Sequence, residues 1–232
     1  MAINSNQPPL VSVILPCQNE ELSIGKCITE IKDVFEKNNI FGEIIVSDSS
    51  QDKSPEIARE MGVILAKHDK DGYGQAYLEG FKVASGRYLF LADTDGTYSF
   101  SEIPKFLSFL NSDYDLVIGN RLAGKIYPGA MPYTHRYFGT PLLSVIFSLF
   151  FKNKIGDINC GMRAISRQAL DSLDLKSTGM EFASEMMVKA VKKDLKIKET
   201  PIDYFSRIGE SKLRTIPDGW RHLKFMFGEV IR

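Results

Sequence analysis

Short apolar runs alternate with longer amphipathic stretches through the first half of this chain. Runs of β-branched and aromatic residues are typical of buried strands, and apolar residues three or four apart are typical of helices. Ile24, Ile28 and Ile31 have this helical spacing. The predicted strands are residues 10–15, 43–47, 63–66, 87–92 and 115–119, and the predicted helices are residues 20–37, 56–61, 74–84 and 101–110.

This alternation constrains the fold more than any other feature of the sequence. Strands connected by helices form a mainly parallel sheet with right-handed crossovers and helices packed on its faces. The first half is therefore predicted to be α/β and Rossmann-like. Ligands of such sheets bind at the carboxyl ends of the strands, so we expect the functional residues there.

The second half of the chain is less regular. A loop over residues 120–132 is followed by a predicted helix over 138–151 and a strand near 160–165. A helix over 181–192, a strand over 196–202, a polar loop and a helix from 216 onward complete it. A chain of 232 residues with 44% hydrophobic composition has material for one substantial core. We therefore expect a single catalytic domain over residues 1–232.

Composition excludes several classes of function. Basic and acidic residues are balanced at 29 each, so no global positive field indicates nucleic acid as a partner. Cys17, Cys27 and Cys160 lack the spacing of a disulfide framework or a zinc site, which favours a reduced cytosolic setting. No signal peptide is expected at the amino terminus, and the apolar run 141–151 is too short to cross a bilayer.

Two aspartates follow directly on the fourth predicted strand. Asp93 and Asp95 are two residues apart, so at a strand end both carboxylates face the same way. Such ligands suit Mg²⁺ or Mn²⁺, which combine protein carboxylates with substrate phosphate oxygens. The metal would act as a Lewis acid for a departing diphosphate. A solvated turn is the alternative interpretation, because Asp and Gly are ordinary turn residues.

Polar residues also follow the first and second predicted strands, at residues 16–21 and 47–52. Because the carboxyl ends of parallel strands meet at one edge of a sheet, we expect these residues near the aspartate pair. Asp48 would accept a hydrogen bond from a base or a ribose, and Asn19 and Glu20 would hold ribose hydroxyls. Helix capping is the alternative for Asn19.

The sequence resembles the family 2 glycosyltransferases of the GT-A fold in four ordered segments: PCQNEE, IIVSDSSQDKS, DGYGQA and DTD. Within that family it is similar to the polyprenyl-phosphate sugar synthases, typified by dolichol-phosphate mannose synthase. The later resemblance lies in GNRLAG, DINCGMRAISR, GMEFASEMMVKA and ETPIDYFSRIGESKL. It extends over nearly the whole chain, from about residue 10 to residue 220.

The resemblance implies that about residues 10–119 bind a nucleotide-sugar donor. The family's aspartate pair holds the metal, so Asp93 and Asp95 would bind Mg²⁺ or Mn²⁺. Thr97 stands where the family commonly has a third metal-side residue, glutamine, and Ser47 replaces the first of two aspartates after strand two. The residues matched to the nucleotide-sugar are Pro16, Asn19, Glu20, Asp48, Asp93, Arg207 and Lys212.

Arg207 and Lys212 belong to a segment similar to the family's R-x-x-G-x-S-K motif. The resemblance implies a flap that closes its positive charge over the donor diphosphate and excludes water. An ordinary basic surface loop is the alternative interpretation.

The second half, about residues 120–232, is implied to bind the acceptor. Two family arginines grip a lipid phosphate; here they correspond to Arg121 and Arg136, with Thr140 as a hydroxyl donor. A phosphate dianion needs several charge-assisted donors, but its second pKa of about 6 means that it needs no strong base. A hydroxyl acceptor would require a carboxylate base, for which Asp157 and Glu185 are the candidates. The predicted catalytic residues are Asp95, Asp157 and Arg121.

A polyprenyl acceptor keeps its tail in lipid, so a membrane surface is an expected partner. Basic residues flank the apolar run 141–151, with Arg136 before it and Lys152 and Lys154 after it. This pattern suits an interfacial helix, although burial in the core is the more common role of such a run. We expect a cytoplasmic protein bound peripherally to the cytoplasmic face of the membrane.

The leading interpretation is an inverting, metal-dependent transferase that moves a hexose from a donor of the GDP-mannose or UDP-glucose type to polyprenyl (dolichyl) phosphate. One alternative is a soluble family 2 enzyme that glycosylates a sugar or protein hydroxyl. A second alternative is a catalytically silent nucleotide-binding module. The replacement of family residues by Ser47 and Thr97 is consistent with this alternative. A Rossmann dehydrogenase is disfavoured, because no G-x-G-x-x-G follows the first strand.

Overall fold

A seven-stranded sheet lies at the centre of the protein. The structure is a computed structural model that describes residues 7–209 and 215–230. The strands are β1 (Val11–Cys17), β2 (Gly42–Asp48), β3 (Ile64–Lys67), β4 (Tyr88–Leu91), β5 (Leu116–Asn120), β6 (Arg163–Ser166) and β7 (Ile197–Pro201). They are ordered β3-β2-β1-β4-β6-β5-β7. The mainly parallel α/β fold that the strand–helix alternation predicts is confirmed.

Helices flank this sheet and supply the connections between its parallel strands. They are α1 (Ile24–Lys37), α2 (Ser54–Glu60), α3 (Tyr73–Val83), α4 (Ile103–Asn111), α5 (Thr140–Phe151), α6 (Arg167–Leu173), α7 (Phe182–Lys192) and α8 (Thr215–Val230). A short 3₁₀ turn at Phe100–Glu102 precedes α4, and a π-helical turn at His135–Gly139 precedes α5. In the described parts of the chain, no helix has both the length and the hydropathy that crossing a bilayer requires.

The core lies on both sides of the central strands. All four residues of β4 are buried, and the helical periodicity of α1 places Ile24, Ile28 and Ile31 in the interior. Each large apolar side chain that is removed from water contributes roughly 1.5–3 kcal/mol to folding before entropy is counted. Cys17, Cys27 and Cys160 are buried free thiols, and burial raises the pKa of each to about 12.

Some predicted boundaries are wrong for local reasons. The first helix begins at Ile24 instead of residue 20, because the backbone N–H of Glu20 donates to Ser54 Oγ and Asn19 has a left-handed φ of 57°. The predicted strand near residue 160 begins at Arg163, and the helix α6 that follows it was not predicted. These turns depend on partners distant in sequence, which local periodicity does not report.

The orientation of β6 was not predicted either. It runs antiparallel to both neighbours, so that Arg163 at its start lies beside Leu91 at the end of β4 and Ile118 in β5. The loop before β6 therefore reaches the same edge of the sheet as the carboxyl ends of β1, β2, β4, β5 and β7. Segments from both halves of the chain meet at this edge.

Candidate active site

The turn after β4 holds Asp93 and Asp95 at this edge. Thr94, between them, is buried and donates its hydroxyl to the carbonyl of Pro16 in β1 over 2.7 Å. The Cys27 thiol donates to the Thr94 carbonyl over 3.4 Å. The predicted nucleotide-site residue Pro16 thus contacts the turn through its backbone, and these bonds fix the turn to β1.

Thr97 closes the same turn from the other side. Its hydroxyl and its backbone N–H both donate to Asp95 Oδ1, over 2.6 and 3.0 Å. Gly96 allows the tight bend with a left-handed φ of 77°. Thr97, the third residue of the predicted metal site, is fully buried and orients Asp95 through these two hydrogen bonds.

Asp93 Oδ1 is buried and has no hydrogen-bond partner among the described residues. Burial, followed by the negative charge of Asp95, raises the Asp93 pKa to about 7. A buried carboxylate oxygen without a partner, beside a second carboxylate, fits a hard divalent cation, which would supply the missing contact. No group of three or more His, Cys, Asp or Glu side chains within residues 7–209 and 215–230 is arranged to hold a metal. The remaining ligands would have to be substrate or water oxygens.

Gly161, in the loop before β6, packs directly against Asp93. A Cβ atom at this position would lie 2.7 Å from Asp93 Oδ2. The backbone N–H of Gly161 donates to Tyr98 Oη over 2.9 Å, which holds the loop against the aspartate turn. Glycine is therefore required here for close approach.

The segment after β7 is attached to the aspartate turn. Phe205 N–H donates to the Thr97 carbonyl over 3.0 Å, and Ile208 N–H donates to the Asp95 carbonyl over 2.7 Å. Arg207 Nη2 lies 2.9 Å from Asp95 Oδ2. Although burial lowers the pKa of Arg207, the charge of Asp95 raises it above its ordinary value. The predicted flap residue Lys212 lies outside the described residues.

Arg121, directly after β5, forms a buried ion pair with Asp157. Its Nε and Nη2 atoms donate to the two carboxylate oxygens over 2.7 and 2.8 Å, and its backbone N–H donates to Oδ2 over 3.2 Å. Asp157 has no exposed surface. Although burial lowers the pKa of Arg121, the charge of Asp157 raises it well above its ordinary value. Two residues that were predicted in separate roles thus bind each other.

Two tyrosines link this ion pair to the aspartate turn. The Arg121 guanidinium lies over the Tyr204 ring at 5.1 Å, and that ring packs on Tyr98 with centroids 5.4 Å apart. Tyr98 in turn contacts Gly161 beside Asp93. The sequence did not predict either tyrosine as a site residue, because an aromatic side chain in such a segment is typical of the ordinary core.

Arg136 and Thr140 lie on the π-helical turn and at the start of α5. Thr140 is buried, and the Arg136 guanidinium lies over the Tyr137 ring at 5.3 Å. Burial and the positive charge of Arg121 lower the pKa of His135, which directly precedes Arg136. Because this charge effect requires proximity, the turn lies on the same side of the site as Arg121. π-Helical turns are frequent at functional sites.

The residues predicted to bind the nucleoside make contacts within the protein. Asn19 Oδ1 accepts from the backbone N–H of Gln51 over 2.9 Å, and Glu20 accepts from Ser23 Oγ over 3.4 Å. Asp48 is fully buried; its Oδ2 accepts from Lys67 Nζ over 2.6 Å, and its Oδ1 has no hydrogen-bond partner in the part of the chain that the structure describes. Asn19 and Glu20 lie in the segment that follows β1, and Asp48 is the last residue of β2.

Comparison with known proteins agrees with this architecture. A family model described as Glycosyl transferase family 2 matches residues 12–174. The low-salt glycan biosynthesis hexosyltransferase Agl6 of Haloferax volcanii is 46% identical over 227 residues, which are 97% of this chain and 55% of that protein. The chain therefore spans about half the length of this relative.

Two further proteins match this chain over most of their own length. A dolichyl-phosphate hexose transferase of Haloferax volcanii is 30% identical over 212 residues, 90% of this chain and 89% of that protein. Glucosyl-3-phosphoglycerate synthase of Mycobacterium tuberculosis, solved with Mn²⁺, UDP and glucosyl-3-phosphoglycerate, has a TM-score of 0.75 at 19% identity and covers 96% and 80% of the two chains. At this identity the second likeness supports the fold alone.

The sequence resemblance is thus confirmed by the family model and the curated relatives, and the GT-A fold is confirmed by the sheet and its structural neighbours. In this chain, the candidate active site of the fold consists of the carboxylate pair Asp93 and Asp95 at the end of β4, together with Arg121 and Arg207. The chain belongs to glycosyl transferase family 2.

Proposed function

We propose that this chain transfers a hexose from a nucleotide diphosphate sugar to a polyprenyl phosphate, with inversion at the anomeric carbon. The observation that carries the proposal is the state of Asp157. Both of its carboxylate oxygens accept from Arg121, and the residue is fully buried. A carboxylate in this state is a poor proton acceptor for an incoming hydroxyl. A phosphate nucleophile needs no such base.

The charges of the site support the same assignment. Asp93 and Asp95 would hold Mg²⁺ or Mn²⁺, which supplies Lewis-acid stabilisation of the departing diphosphate. Arg121 and Arg136 bring positive charge to the acceptor side, where charge-assisted hydrogen bonds to a phosphate are strong. A third guanidinium, that of Arg207, lies on the donor side. The dolichyl-phosphate hexose transferase among the relatives supports this substrate class by its name.

The reaction is a single in-line displacement. A phosphate oxygen of the acceptor forms a bond to the anomeric carbon while the bond from that carbon to the diphosphate oxygen breaks, and the nucleoside diphosphate leaves with the electron pair. Arg121, Arg136 and Thr140 orient the attacking phosphate. Holding the two reactants in line supplies much of the rate enhancement.

An apolar surface supports attachment to a membrane. We name as the apolar face the exposed side chains of Tyr133, Tyr137, Phe138, Leu142, Val145, Leu149, Trp220 and Phe227. Phe150 of α5 contacts Phe227 of α8, with centroids 5.2 Å apart, so the two helices present one surface. Large exposed apolar patches mark interaction sites. Peripheral binding at the cytoplasmic face of a membrane would bring this surface to the lipid that carries the acceptor.

Transfer assays test the proposal directly. The protein is incubated with Mn²⁺, labelled GDP-mannose or UDP-glucose, and either dolichyl phosphate or simple glycans. We expect labelled lipid from one of the two donors, and we expect Asp95→Asn to abolish it. Label in glycans alone would contradict the lipid acceptor. Nucleotide binding that is indifferent both to Mn²⁺ and to Asp95→Ala, measured by calorimetry, would contradict the metal-dependent mechanism.

A further inference from the structure

We propose that Asp157 is a positioning residue, which fixes the Arg121 guanidinium for the acceptor phosphate, and that Glu199 fixes Asp157 in turn. This inference rests on the proposed function and adds the device that aims its acceptor-side cation. It assigns Asp157 a role through another residue and gives a role to Glu199, which is not among the site residues predicted from the sequence.

The ion pair determines which edge of the guanidinium is available. Arg121 uses Nε and Nη2 to bind Asp157 and the face of its guanidinium to pack on Tyr204. Its Nη1 makes no hydrogen bond to another residue within 7–209 or 217–230, and 11% of the side chain is exposed. A guanidinium has a rigid planar fork of donors, so fixing one edge also fixes the direction of the other.

The loop that carries Asp157 is itself held from two sides. Glu199 Oε1 in β7 accepts from the backbone N–H groups of Gly156 and Asp157, over 2.8 and 2.9 Å. Ser144 Oγ in α5 accepts from Ile158 N–H over 3.3 Å. The carboxylate therefore has little freedom to move toward a substrate. A proton acceptor would need an accessible lone pair, which this arrangement does not offer.

Arg163, at the start of β6, also holds the loop that carries Asp157. Its Nε and Nη2 donate to the carbonyls of Cys160 and Ile158, over 2.9 and 2.7 Å, and its Nη1 donates to Ala183 in α7 over 2.8 Å. The side chain is fully buried. All three nitrogens of this guanidinium are used inside the protein, whereas Arg121 keeps one for a ligand. Arg163 thus has a structural role in this loop, whereas Arg121, which binds Asp157 of the same loop, is available to a ligand.

Kinetics of Asp157→Asn test the inference, because Asn keeps the shape of the side chain and removes its charge. We expect the KM for polyprenyl phosphate to rise by about tenfold or more, since a fixed guanidinium becomes loose. The KM for the nucleotide-sugar and the pH dependence of kcat should stay unchanged. We expect the double variant Arg121→Lys with Asp157→Asn to have an acceptor KM no higher than that of the more damaging single variant.

Other variants keep the test decisive. Glu199→Gln should raise the acceptor KM in the same direction by about threefold, and it provides the test if Asp157→Asn does not fold. Glu43→Gln is the matched control, because Glu43 also accepts several hydrogen bonds but lies near the start of β2, at the opposite edge of the sheet. Its acceptor KM should equal that of the unaltered enzyme.

Two results would overturn the inference. One is an unchanged acceptor KM in Asp157→Asn and Glu199→Gln. The other is a loss of kcat in Asp157→Asn, at unchanged acceptor KM, together with loss of a limb of the pH profile, which would identify Asp157 as a base. Failure of the unaltered enzyme to label polyprenyl phosphate would instead contradict the proposed function itself, so the two failures are distinguishable.

Discussion

Arg207 and Asp95 form an ion pair across the donor side of the site, with Nη2 and Oδ2 2.9 Å apart. The carboxylate that would bind the divalent metal is thus already paired with a cation of the protein. Backbone hydrogen bonds from Phe205 and Ile208 to the same turn hold the arginine in this position. A metal ion must therefore share Asp95 with Arg207 or displace it.

The first prediction concerns Arg207→Gln. Mn²⁺ alone should bind this variant about threefold to tenfold more tightly, because a partly exposed ion pair of about 1 kcal/mol no longer competes for Asp95. Mn²⁺ with a nucleoside diphosphate should bind it more weakly, because the variant lacks the guanidinium proposed to contact the diphosphate. The electron paramagnetic resonance signal of free Mn²⁺ measures both affinities.

The control for this experiment is Arg59→Gln. Arg59 forms a surface ion pair with Glu56 at 3.4 Å, far from the aspartate turn in the sequence. Both Mn²⁺ affinities should be unaltered in this variant. Shifts of the same sign for Mn²⁺ alone and Mn²⁺ with nucleotide in Arg207→Gln would exclude competition at Asp95.

A second prediction concerns Gly161→Ala. The new Cβ would approach Asp93 Oδ2 to 2.7 Å, so the carboxylate or the loop must shift. If Asp93 binds the metal as proposed, displacing it by a fraction of an ångström to 1 Å is expected to lower kcat/KM by about 100-fold. In the matched control Gly219→Ala the Cβ meets no atom within 4 Å, and kcat/KM should not change. Equal activity of the two variants would show that Asp93 does not need this close approach.

A third prediction concerns the apolar face. Phe138 and Leu149 are both 73% exposed, and burying each in lipid contributes roughly 1.5–3 kcal/mol. Phe138→Ser and Leu149→Ser should each reduce binding to vesicles of neutral and anionic lipid by about tenfold or more. Flotation of the vesicles measures the bound fraction.

Leu22→Ser is the control for the membrane experiment. Leu22 is 76% exposed but lies in the turn before α1, away from α5 and α8. Its replacement should leave the bound fraction unchanged. If all three variants bind equally well, the apolar face is not the surface that meets the membrane.

A fourth prediction concerns the pH dependence of stability. Burial lowers the pKa of His222 in α8 to about 4, and its Nδ1 lies 2.7 Å from Ser184 Oγ. The unfolded chain, with an ordinary value of about 6.5, therefore binds a proton before the folded chain does as the pH falls. The stability associated with neutral His222 is complete above about pH 6.5 and decreases by roughly 3 kcal/mol toward pH 4.

Urea unfolding at several pH values measures this effect. His222→Gln cannot titrate, so its free energy of unfolding should fall less between pH 7 and pH 4.5 than that of the unaltered protein, by about 2–3 kcal/mol. Parallel pH dependences for the two proteins would mean that His222 is not buried in its neutral form.

The first half of the fold was predictable because its determinants are local. Apolar runs and helical spacing mark β1 to β5 and α1 to α4 to within a few residues. The orientation of β6 was not predictable, because it depends on pairing with strands far away in sequence. Its four residues carry no signal that distinguishes parallel from antiparallel pairing.

The contacts within the candidate site were only partly predictable from the sequence. Asp93 and Asp95 are two residues apart, so a strand end is enough to bring them together. Arg121 and Asp157 are 36 residues apart, and their pairing requires the loop before β6 to reach the end of β5. Gly161 stood within a recognised motif, but its need for close approach to Asp93 follows only from the packed structure.

The reversed strand β6 also joins the two halves of the molecule inseparably. It comes from the second half of the chain, yet it lies between β4 and β5 of the first half. A fragment ending near residue 119 would leave both of those strands with an unpaired edge, open to pairing with other chains. The two halves of the chain are therefore interleaved in one hydrogen-bonded sheet, and neither can unfold without exposing the other.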